Sequence, residues 1–319
     1  MKPIKLLITG AGPNSFLGKH VLNEIKNHSQ YEVLSPSSKE LNLLSEWNVL
    51  KYFYENRIDS IIHMAADCGG ILKNINNPFD MAFNNLKMAV NLFNAIKNYK
   101  IKHLITLGTT CSYPIHSPQP MKETDLFNGP EESSNLYYAE AKRMLIRLTD
   151  SYKKQYGFKS ISLIPANLYG QHDHFSLNNS HVIPALIRKF DDAITNNFSE
   201  VKCWGSGSAS REFLHGRDAA VGIIKALTME INEELPINLG TGQDISIYNL
   251  AHLIGKIMNF KGDIVFTGEV SDGQPLRRLD VSRAKDLMSF AAETNLRDGL
   301  EETILWFQNN REEILSKEK

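Results

Sequence analysis

The chain has 319 residues, of which 42% are hydrophobic and 22% charged, so it suits one large α/β unit or two cooperating domains of a soluble globular protein. Its formal net charge of -1 gives no electrostatic support for a nucleic-acid or anionic-membrane partner, and any phosphate must be bound by local groups. No apolar run approaches the roughly 20 residues of a membrane span, and three cysteines without close pairing favour a reduced, cytoplasmic setting.

The first predicted element is a short apolar strand, Ile4–Thr9, which runs into a glycine-rich turn over residues 10–18 and then into a helical pattern. A strand, a glycine turn and a helix in this order predict a dinucleotide-binding site, because backbone amides and the helix N-terminus then face a pyrophosphate. The turn is irregular. Ser15 stands where a compact motif would place its middle glycine, three residues before Gly18, and Pro13 and Asn14 lengthen the loop.

The second predicted strand, Tyr31–Leu34, bears on the choice of cofactor. An acidic residue at its end would bind the ribose hydroxyl of NAD, but the chain continues with Ser37, Ser38 and Lys39. Hydroxyls and a cation suit a ribose phosphate better, so we expect NADP(H), while a polar loop without a role in binding is the alternative.

Two further buried strands are predicted at residues 59–66 and 101–107. The first carries His63, which we interpret as a satisfied core histidine, and ends in the small residues Ala65 and Ala66. Asn85 and Asn91 lie on the next helical pattern, where their amides can tie strands together. Strands that alternate with helices predict a parallel sheet covered by helices on both faces, with ligands at the carboxyl ends of the strands.

A helix is predicted over Leu136–Tyr156, and it carries the strongest chemical signal. Tyr138 and Lys142 are four positions apart, so their side chains share one helical face. An ammonium beside a phenol favours the ionised phenol, and such a pair can exchange a proton with a substrate oxygen near neutral pH. Two ordinary residues of an amphipathic helix are the alternative interpretation.

The second half of the chain continues the alternation. Strands are predicted at residues 160–165, 211–215 and 237–240, a turn at 204–207, and helices at 182–190, 245–258 and 298–308. The helices at 245–258 and 298–308 flank an apolar run at 263–266 and a basic segment at 275–280.

With Thr109 before Tyr138 and Lys142, and a nucleotide loop at the start, the chain resembles an extended short-chain dehydrogenase/reductase, and more closely the GDP-L-fucose synthase family. The matching segments are, in chain order, Gly69-Gly70-Ile71, Cys111-Ser112-Tyr113-Pro114, Asn167-Leu168-Tyr169-Gly170, Asn179-Ser180-His181-Val182-Ile183-Pro184-Ala185, Trp204-Gly205-Ser206-Gly207 and Arg211-Glu212-Phe213-Leu214-His215.

The resemblance implies a Rossmann-type doubly wound parallel sheet with a smaller α/β substrate-binding domain. We expect the NADP-binding domain to comprise residues 1–172 and 214–242, and the nucleotide-sugar domain residues 173–213 and 243–319. It also implies a homodimer formed through helices near residues 85–98 and 138–156.

The activity implied by the resemblance is the 3,5-epimerisation and NADPH-dependent 4-reduction of GDP-4-keto-6-deoxy-D-mannose. In the reduction, Tyr138 would protonate the C4 oxygen, Lys142 would stabilise the ionised tyrosine and hold the nicotinamide ribose, and Thr109 would orient the carbonyl. For the inversions, the resemblance assigns the acid and base roles to Cys111 and His181. Their alternatives are buried packing for the cysteine and a hydrogen bond at a helix start for the histidine.

Two groups of binding residues follow. The expected cofactor contacts are Gly10, Gly12, Ser15, Phe16, Leu17, Gly18, Ser37, Ser38, Lys39, Ala65, Ala66, Asn85, Leu107, Tyr138, Lys142, Pro165, Asn167, Leu168 and His181. The expected contacts of the GDP-linked 4-keto sugar are Thr109, Thr110, Cys111, Asn167, Val182, Lys189, Trp204, Arg211 and Arg277. The two arginines are candidate phosphate ligands, since a guanidinium binds phosphate in a bidentate manner; the alternative is a solvated surface charge.

The chain also departs from the family pattern near the expected sugar site. Lys189 stands where the family usually has arginine, and Asp67-Cys68 replaces a basic or small residue followed by valine. These departures suggest a relative that uses another GDP-4-keto sugar, such as a heptose, and that only reduces it.

Three rival functions have weaker support in the sequence. A zinc site at His172, Asp173 and His174 with His181 or His215 lacks a convincing four-ligand pattern, and we expect no metal. A 4,6-dehydratase would need an acidic pair beside Thr109, where Thr110 and Cys111 stand. An NADP-binding sensor or scaffold would tend to have lost the tyrosine or the lysine, and both are present.

Overall fold

The protein is described here by a computed structural model, which covers residues 2–99, 101–177, 180–268 and 273–316; Asn179 of the family motif lies outside these residues. The described residues form twelve strands. In chain order they are β1 (Ile4–Thr9), β2 (Tyr31–Leu34), β3 (Ser60–His63), β4 (His103–Leu107), β5 (Lys159–Pro165), β6 (Asn167–Tyr169), β7 (Glu200–Cys203), β8 (Ser210–His215), β9 (Ile237–Leu239), β10 (Asp244–Ser246), β11 (Asp263–Phe266) and β12 (Leu276–Arg277).

Six of these strands form one parallel sheet in the order β2-β1-β3-β4-β5-β9. Its central strands are buried apolar runs, as parallel strands covered on both faces must be. The strand order reverses between β1 and β3, and ligands of such sheets bind in the crevice at this switch point. The predicted doubly wound fold is confirmed.

Helices cover both faces of this sheet. In chain order the helices of the described residues are α1 (Phe16–Ile25), α2 (Glu46–Asn56), α3 (Ile71–Asn76), α4 (Pro78–Ile96), α5 (Leu136–Tyr156), α6 (Val182–Thr195), α7 (Gly216–Thr228), α8 (Ile247–Ile257), α9 (Ser282–Met288), α10 (Leu296–Asn309) and α11 (Arg311–Ser316). One apolar core joins the sheet to α1 and α7, and a second joins its other face to α2, α4 and α5.

A third apolar core lies away from the main sheet. It unites α6, α8 and α10 with strands β7, β8 and β11 around large buried side chains such as Phe190 and Phe307. The remaining strands form small sheets, in which β8 pairs with β6, β10 and β12, and β7 pairs with β11. The domain boundaries expected from the sequence remain a prediction.

Local chemistry explains where the elements begin and end. Helix α5 has the predicted bounds because Gly157, with φ of 71°, ends it in the left-handed conformation that glycine adopts without strain. The helix predicted at 245–258 begins two residues later. Ser246 caps it by accepting a hydrogen bond from the Asn249 amide, and the residues before it form β10 instead. The helix predicted to end at 190 continues to Thr195.

The polar residues expected within these elements have identifiable partners. His63 is buried, and its Nδ1 lies 2.8 Å from the Thr9 hydroxyl, in agreement with a satisfied core histidine. Asn91 donates to the carbonyl of Leu43 at 2.7 Å. Asn91 therefore ties helix α4 to the turn before α2, and the prediction that it links strands was wrong, because its acceptor lies in that turn and not in a strand.

Candidate active site

A large cleft of about 1340 Å³ lies at the carboxyl ends of the main strands. It receives all of the predicted catalytic residues, all of the predicted substrate contacts and, apart from Gly18 and Asn85, all of the predicted cofactor contacts. The lining residues come from both the main sheet and the third core. The cleft therefore brings the predicted cofactor contacts together with the predicted contacts of the GDP-linked sugar.

The glycine loop forms one end of the cleft. Gly10 has φ of 78°, and a Cβ on it would lie 2.6 Å from the backbone nitrogen of Ala65, so only glycine fits between the ends of β1 and β3. Ser15, which replaces the middle glycine of the motif, has a structural role. It is the N-cap of α1 and accepts a hydrogen bond of 3.0 Å from the Gly18 amide. The loop thereby presents the start of a helix to the cleft, as a pyrophosphate site requires.

Gly18 and Asn85 support the cleft without lining it. A Cβ on Gly18 would lie 2.5 Å from the Cα of Ala11, so this glycine lets the helix pack under the loop. The Asn85 amide accepts from the backbone of Asp67 at 3.1 Å and donates to it at 2.8 Å. Both residues therefore make supporting contacts around the cleft, and their contacts with the cofactor remain a prediction.

The predicted reductive group lies at the end of β4 and on the first turns of α5. Thr109, Tyr138 and Lys142 all line the cleft, and the Lys142 ammonium is almost fully buried and donates to the carbonyl of Leu107 at 2.9 Å. This bond fixes the helical face that Tyr138 and Lys142 share against the end of the strand.

Burial governs the proton affinities of this group. Burial raises the pKa of Tyr138 well above its ordinary value, the nearby thiols and Asp67 add to this, and the Thr109 hydroxyl opposes it. Burial also lowers the pKa of Lys142 to about 8. The net shift of the phenol pKa is upward although an ammonium lies on the same helical face, because desolvation penalises the phenolate more than its surroundings stabilise it. A neutral phenol is the form that can donate a proton.

Cys111 lies two residues after Thr109, in a short 3₁₀ turn (Thr110–Ser112) that Thr109 caps by accepting from the Cys111 amide at 3.3 Å. The guanidinium of Arg277 reaches it from β12, with Nη1 3.4 Å from the Cys111 sulfur. Arg277 is itself buried, and its Nε donates to Gln274 at 2.9 Å. A thiol and a clamped cation therefore meet in the cleft.

His181 is the N-cap residue of α6 and lines the same cleft. Its side chain makes no capping hydrogen bond, which argues against the alternative that it serves only to start the helix. Although the ring faces the open cleft, the surrounding protein desolvates it, and this together with His174 lowers its pKa below the ordinary value. A neutral imidazole can accept a proton from a substrate carbon.

The far end of the cleft carries the predicted nucleotide contacts. The Lys189 ammonium lies 4.5 Å from the centre of the Trp204 ring and donates to the carbonyl of Lys202 at 2.8 Å. Arg211 lines the cleft as the register partner of Arg277 on the neighbouring strand, so two guanidinium groups enter side by side. Two adjacent arginines beside an aromatic ring suit a nucleoside diphosphate.

Asp67 and Cys68, which depart from the family pattern, make contacts that the sequence did not reveal. Lys73 forms a close ion pair with Asp67 and also donates to the Cys68 carbonyl at 3.1 Å, while Asn84 donates to Asp67 at 2.9 Å. Burial opposes ionisation of Asp67, but the hydrogen bonds from Lys73 and Asn84 outweigh it and lower the pKa. The acidic residue is therefore an immobilised carboxylate in the wall of the cleft.

Sequence reasoning also missed the residues that assemble the sugar side. Buried Glu212 accepts hydrogen bonds from the backbone amides of Thr241, Gly242 and Leu279, and so fixes two segments next to β8. Gln274 orients Arg277 in the same region. A charged residue within an apolar strand was the only signal that could have pointed to Glu212.

Of the histidines named for a zinc site, His181 lines the cleft, whereas His172 and His215 are not among its lining residues. His172 packs against His20 and Trp306, and His20 also contacts His215. Within the described ranges, no group of three His, Cys, Asp or Glu side chains has the arrangement of a metal site. Nor does any helix of those ranges have the length and apolar character that crossing a membrane requires.

Comparison with known proteins places this geometry in context. Residues 6–240 match the family described as NAD dependent epimerase/dehydratase. The chain is 38% identical to GDP-L-fucose synthase of Escherichia coli (strain K12) over 312 residues, which cover 95% of this chain and 96% of that protein.

Two solved structures are similar over nearly the whole chain. One is a GDP-L-fucose synthetase from Naegleria fowleri bound to NADP, with a TM-score of 0.87 and 28% identity, covering 98% of this chain and 96% of the other. The other is a GDP-6-OMe-4-keto-L-xylo-heptose reductase from C. jejuni, with a TM-score of 0.87 and 25% identity, covering 97% and 99% of the two chains.

Proposed function

The chain belongs to the NAD dependent epimerase/dehydratase family and, within it, to the GDP-L-fucose synthases, and on this premise we propose that it is an NADPH-dependent C4 reductase of a GDP-linked 4-keto-6-deoxy sugar. Inversion at C3 and C5 precedes the reduction, as in GDP-L-fucose synthesis. The observation that carries the proposal is the presence, in one cleft, of the Thr109, Tyr138 and Lys142 group beside Cys111 and His181.

The residues at the glycine loop fit the dinucleotide. The close approach of Gly10 to Ala65 leaves room for no side chain, and the start of α1 faces the cleft beside it. Ser38 and Lys39 line the cleft where the ribose phosphate of NADP would be bound, whereas the Ser37 hydroxyl donates to Glu40 at 2.7 Å. NADPH supplies the hydride for the C4 carbonyl carbon.

The chain's own residues complete the reduction. Thr109 orients the C4 carbonyl by a hydrogen bond, and Tyr138 donates its proton to the oxygen as the carbonyl becomes an alcohol. The raised pKa of Tyr138, caused first by burial, keeps the phenol protonated at neutral pH until the oxygen gains charge. Lys142, held at the Leu107 carbonyl, then stabilises the phenolate that remains.

For the inversions, the C4 ketone acidifies the hydrogens on C3 and C5. One of Cys111 and His181 removes the proton, the C–H electron pair moves into an enolate, and the other residue returns a proton to the opposite face. Both side chains line the cleft, which supports this assignment.

A second candidate is reduction without inversion of another GDP-4-keto sugar, such as a heptose. The similarity to the C. jejuni heptose reductase and the immobilised Asp67 carboxylate favour it. A catalytically silent NADP-binding protein has less support, because Tyr138 and Lys142 are both present in the cleft.

We include a homodimer in the proposal. Helices α4 and α5 expose several large apolar side chains, and these could form a shared helical interface. They are Phe79, Phe83, Val90, Tyr137 and Met144. All three cysteines are free thiols, which supports the cytoplasmic setting expected from the sequence. Light scattering after size-exclusion chromatography tests the dimer, and a monomer at micromolar concentration contradicts it.

The function is tested by incubating the protein with NADPH and GDP-4-keto-6-deoxy-D-mannose in deuterated water. We expect NADPH oxidation and a product with deuterium at C3 and C5. Oxidation without deuterium identifies the reductase-only alternative, and the same assay with a GDP-4-keto-heptose then tests that substrate. An absence of NADPH oxidation with every GDP-4-keto sugar contradicts the enzyme function.

A further inference from the structure

Arg277 occupies a position that phosphate binding alone does not explain. Its Nη1 donates to the Cys111 sulfur at 3.4 Å, and its Nε donates to Gln274 at 2.9 Å. Arg277 is almost fully buried, so its charge meets little solvent screening. The two hydrogen bonds aim one edge of the planar guanidinium at the thiol.

The neighbouring arginine provides a built-in comparison. Arg211 is paired in register with Arg277 on the adjacent strand, and both line the cleft. Arg211, however, donates to its neighbour's backbone, the Ser210 carbonyl, at 2.8 Å, and a Cβ on Gly273 would lie 3.6 Å from its Nη2. Of the two cations, it is Arg277 that has a hydrogen bond to the thiol.

Other charged and titratable groups line this part of the cleft. Glu132, from the segment before α5, acts electrostatically on Arg277, and Tyr138 of α5 is acted on electrostatically by Cys111. Cys68, in the loop after β3, also lines the cleft, and desolvation by the surrounding protein raises its pKa. Arg277 is the group among these that carries a positive charge and contacts the Cys111 sulfur.

We propose that Arg277 is a positioning residue for the inversion step, which holds Cys111 in place and stabilises its thiolate, while Arg211 supplies the principal guanidinium contact to the diphosphate. This inference rests on the proposed function and deepens it. It assigns different roles to two arginines that the sequence predicted to act alike.

The chemistry requires such a cation in either direction of proton transfer. When Cys111 is the base, its thiolate takes the C3 or C5 proton, an S–H bond forms, and the C–H electron pair becomes the enolate. When Cys111 is the acid, its S–H bond breaks, the proton goes to the enolate carbon, and the electron pair stays on sulfur. The thiolate therefore exists before or after every inversion, and the guanidinium stabilises it.

The first test measures thiolate reactivity directly. The full chain is treated with iodoacetamide from pH 6 to pH 9, and alkylation of each cysteine peptide is followed by mass spectrometry. We expect Arg277→Gln to slow alkylation of Cys111 at pH 7.5 about tenfold, because the cation that contacts the sulfur is lost. Arg277→Lys should recover most of the rate.

The matched control is Arg278→Gln. Arg278 is the adjacent arginine, but its guanidinium pairs with Asp244 at 3.3 Å and does not line the cleft. We expect this variant to leave the alkylation of Cys111 unchanged. Gln274→Met removes only the acceptor that orients Arg277 and should slow alkylation by about threefold, which gives a milder variant if Arg277→Gln folds poorly.

The second test separates the two arginines. Arg211→Gln should weaken GDP binding about tenfold or more, and Arg277→Gln by about threefold or less, as measured by calorimetric titration. Deuterium incorporation at saturating sugar should fall about tenfold in Arg277→Gln, while NADPH oxidation without inversion persists.

Unchanged Cys111 alkylation in Arg277→Gln overturns the inference. The inference is also overturned if Arg277→Gln loses as much GDP affinity as Arg211→Gln while its deuterium incorporation stays intact. The failure of the proposed function gives a different result. If the wild-type protein incorporates no deuterium, the inversion step is absent, yet the alkylation comparison still decides whether Arg277 acts on Cys111.

Discussion

Two groups of residues in the catalytic cleft are assembled in different ways: those assigned to reduction, named here the reductive end, and those assigned to inversion, named here the inverting end. The reductive end takes Thr109 from the end of β4 and Tyr138 and Lys142 from one helix, and a buried bond to Leu107 connects the two elements. The inverting end takes Cys111, His181 and Arg277 from three distant parts of the chain, which meet through a short turn, a helix start and a two-residue strand. Geometry at the first end follows from regular structure, and at the second from long-range hydrogen bonds.

This difference predicts that the two activities can be lost separately. Regular elements share their stability with the whole sheet, whereas the turn and the short strand depend on a few contacts each. Substitutions at the inverting end should therefore change stereochemistry before they change hydride transfer.

The largest effect is expected at the reductive end. Tyr138→Phe removes the proton donor to the C4 oxygen, so we expect NADPH oxidation to fall about a thousandfold or more. The measurement is the steady-state rate of NADPH oxidation. Deuterium incorporation should continue, since Cys111 and His181 are untouched. Tyr137→Phe, at the exposed neighbouring position, is the matched control; a similar loss in that variant would contradict the assignment.

At the inverting end, Cys111→Ser should lower deuterium incorporation at C3 and C5 about a hundredfold, because a serine hydroxyl is a far weaker acid than a thiol. NADPH oxidation should persist and give a product with uninverted centres. Product stereochemistry by NMR is the measurement. If inversion survives the substitution, another residue carries the step and the division of the cleft fails.

The two ends should also respond in opposite ways to pH. Asp173, in the loop that leads to His181, has a carboxyl oxygen with no hydrogen-bond partner, and burial raises its pKa to about 7. Because the folded pKa lies above the ordinary value, its stabilising contribution is lost as the pH rises towards and through 7. We expect the stability advantage of Asp173→Asn to widen by on the order of 2 kcal/mol between pH 5 and pH 8.

His63, under the reductive end, provides the contrast. Burial lowers its pKa to about 3, so its contribution to stability is present above the ordinary pKa of 6.5 and is lost as the pH falls below it.

The Asp173 prediction is measured by urea unfolding of the wild type and of Asp173→Asn at pH 5 and pH 8. A constant difference between the two proteins would show that the Asp173 carboxyl does not titrate as described.

The smallest effect is expected at Lys39, which follows β2 and lines the cleft where the adenosine ribose phosphate would be bound. Lys39→Ala should raise the KM for NADPH about tenfold and leave the KM for NADH unchanged, because one cation near the ribose phosphate is removed. Lys51→Ala, an exposed lysine paired with Glu55 on α2, is the control. Equal effects on both cofactors would refute a role for Lys39 in phosphate recognition.

Sequence reasoning succeeded where local pattern determines structure. The strand at Ile4–Thr9, the helix at Leu136–Tyr156 and the parallel sheet follow from apolar periodicity and from glycine at the helix end. The Tyr138 and Lys142 pair follows from helical spacing within one element.

The remainder depends on pairings between distant segments, which no local pattern encodes. The pairing of β12 with β8 brings Arg277 to Cys111 through only two residues, too few to show a period. The ion pair between Lys73 and the Asp67 carboxylate likewise connects a short helix with a loop. Burial was also underestimated at Tyr138, because the depth of the cleft is a property of the assembled fold.

Glu212 limits the substitutions that the sequence can accept at a neighbouring glycine. A Cβ on Gly240 would clash with the Glu212 carboxylate. That carboxylate accepts hydrogen bonds from the backbone amides of the turn that follows Gly240. A larger residue at position 240 is therefore tolerated only together with a shorter one at 212, and that change would leave three backbone amides without their acceptor. The two positions should evolve as a coupled pair, and homologues that change one alone should be rare.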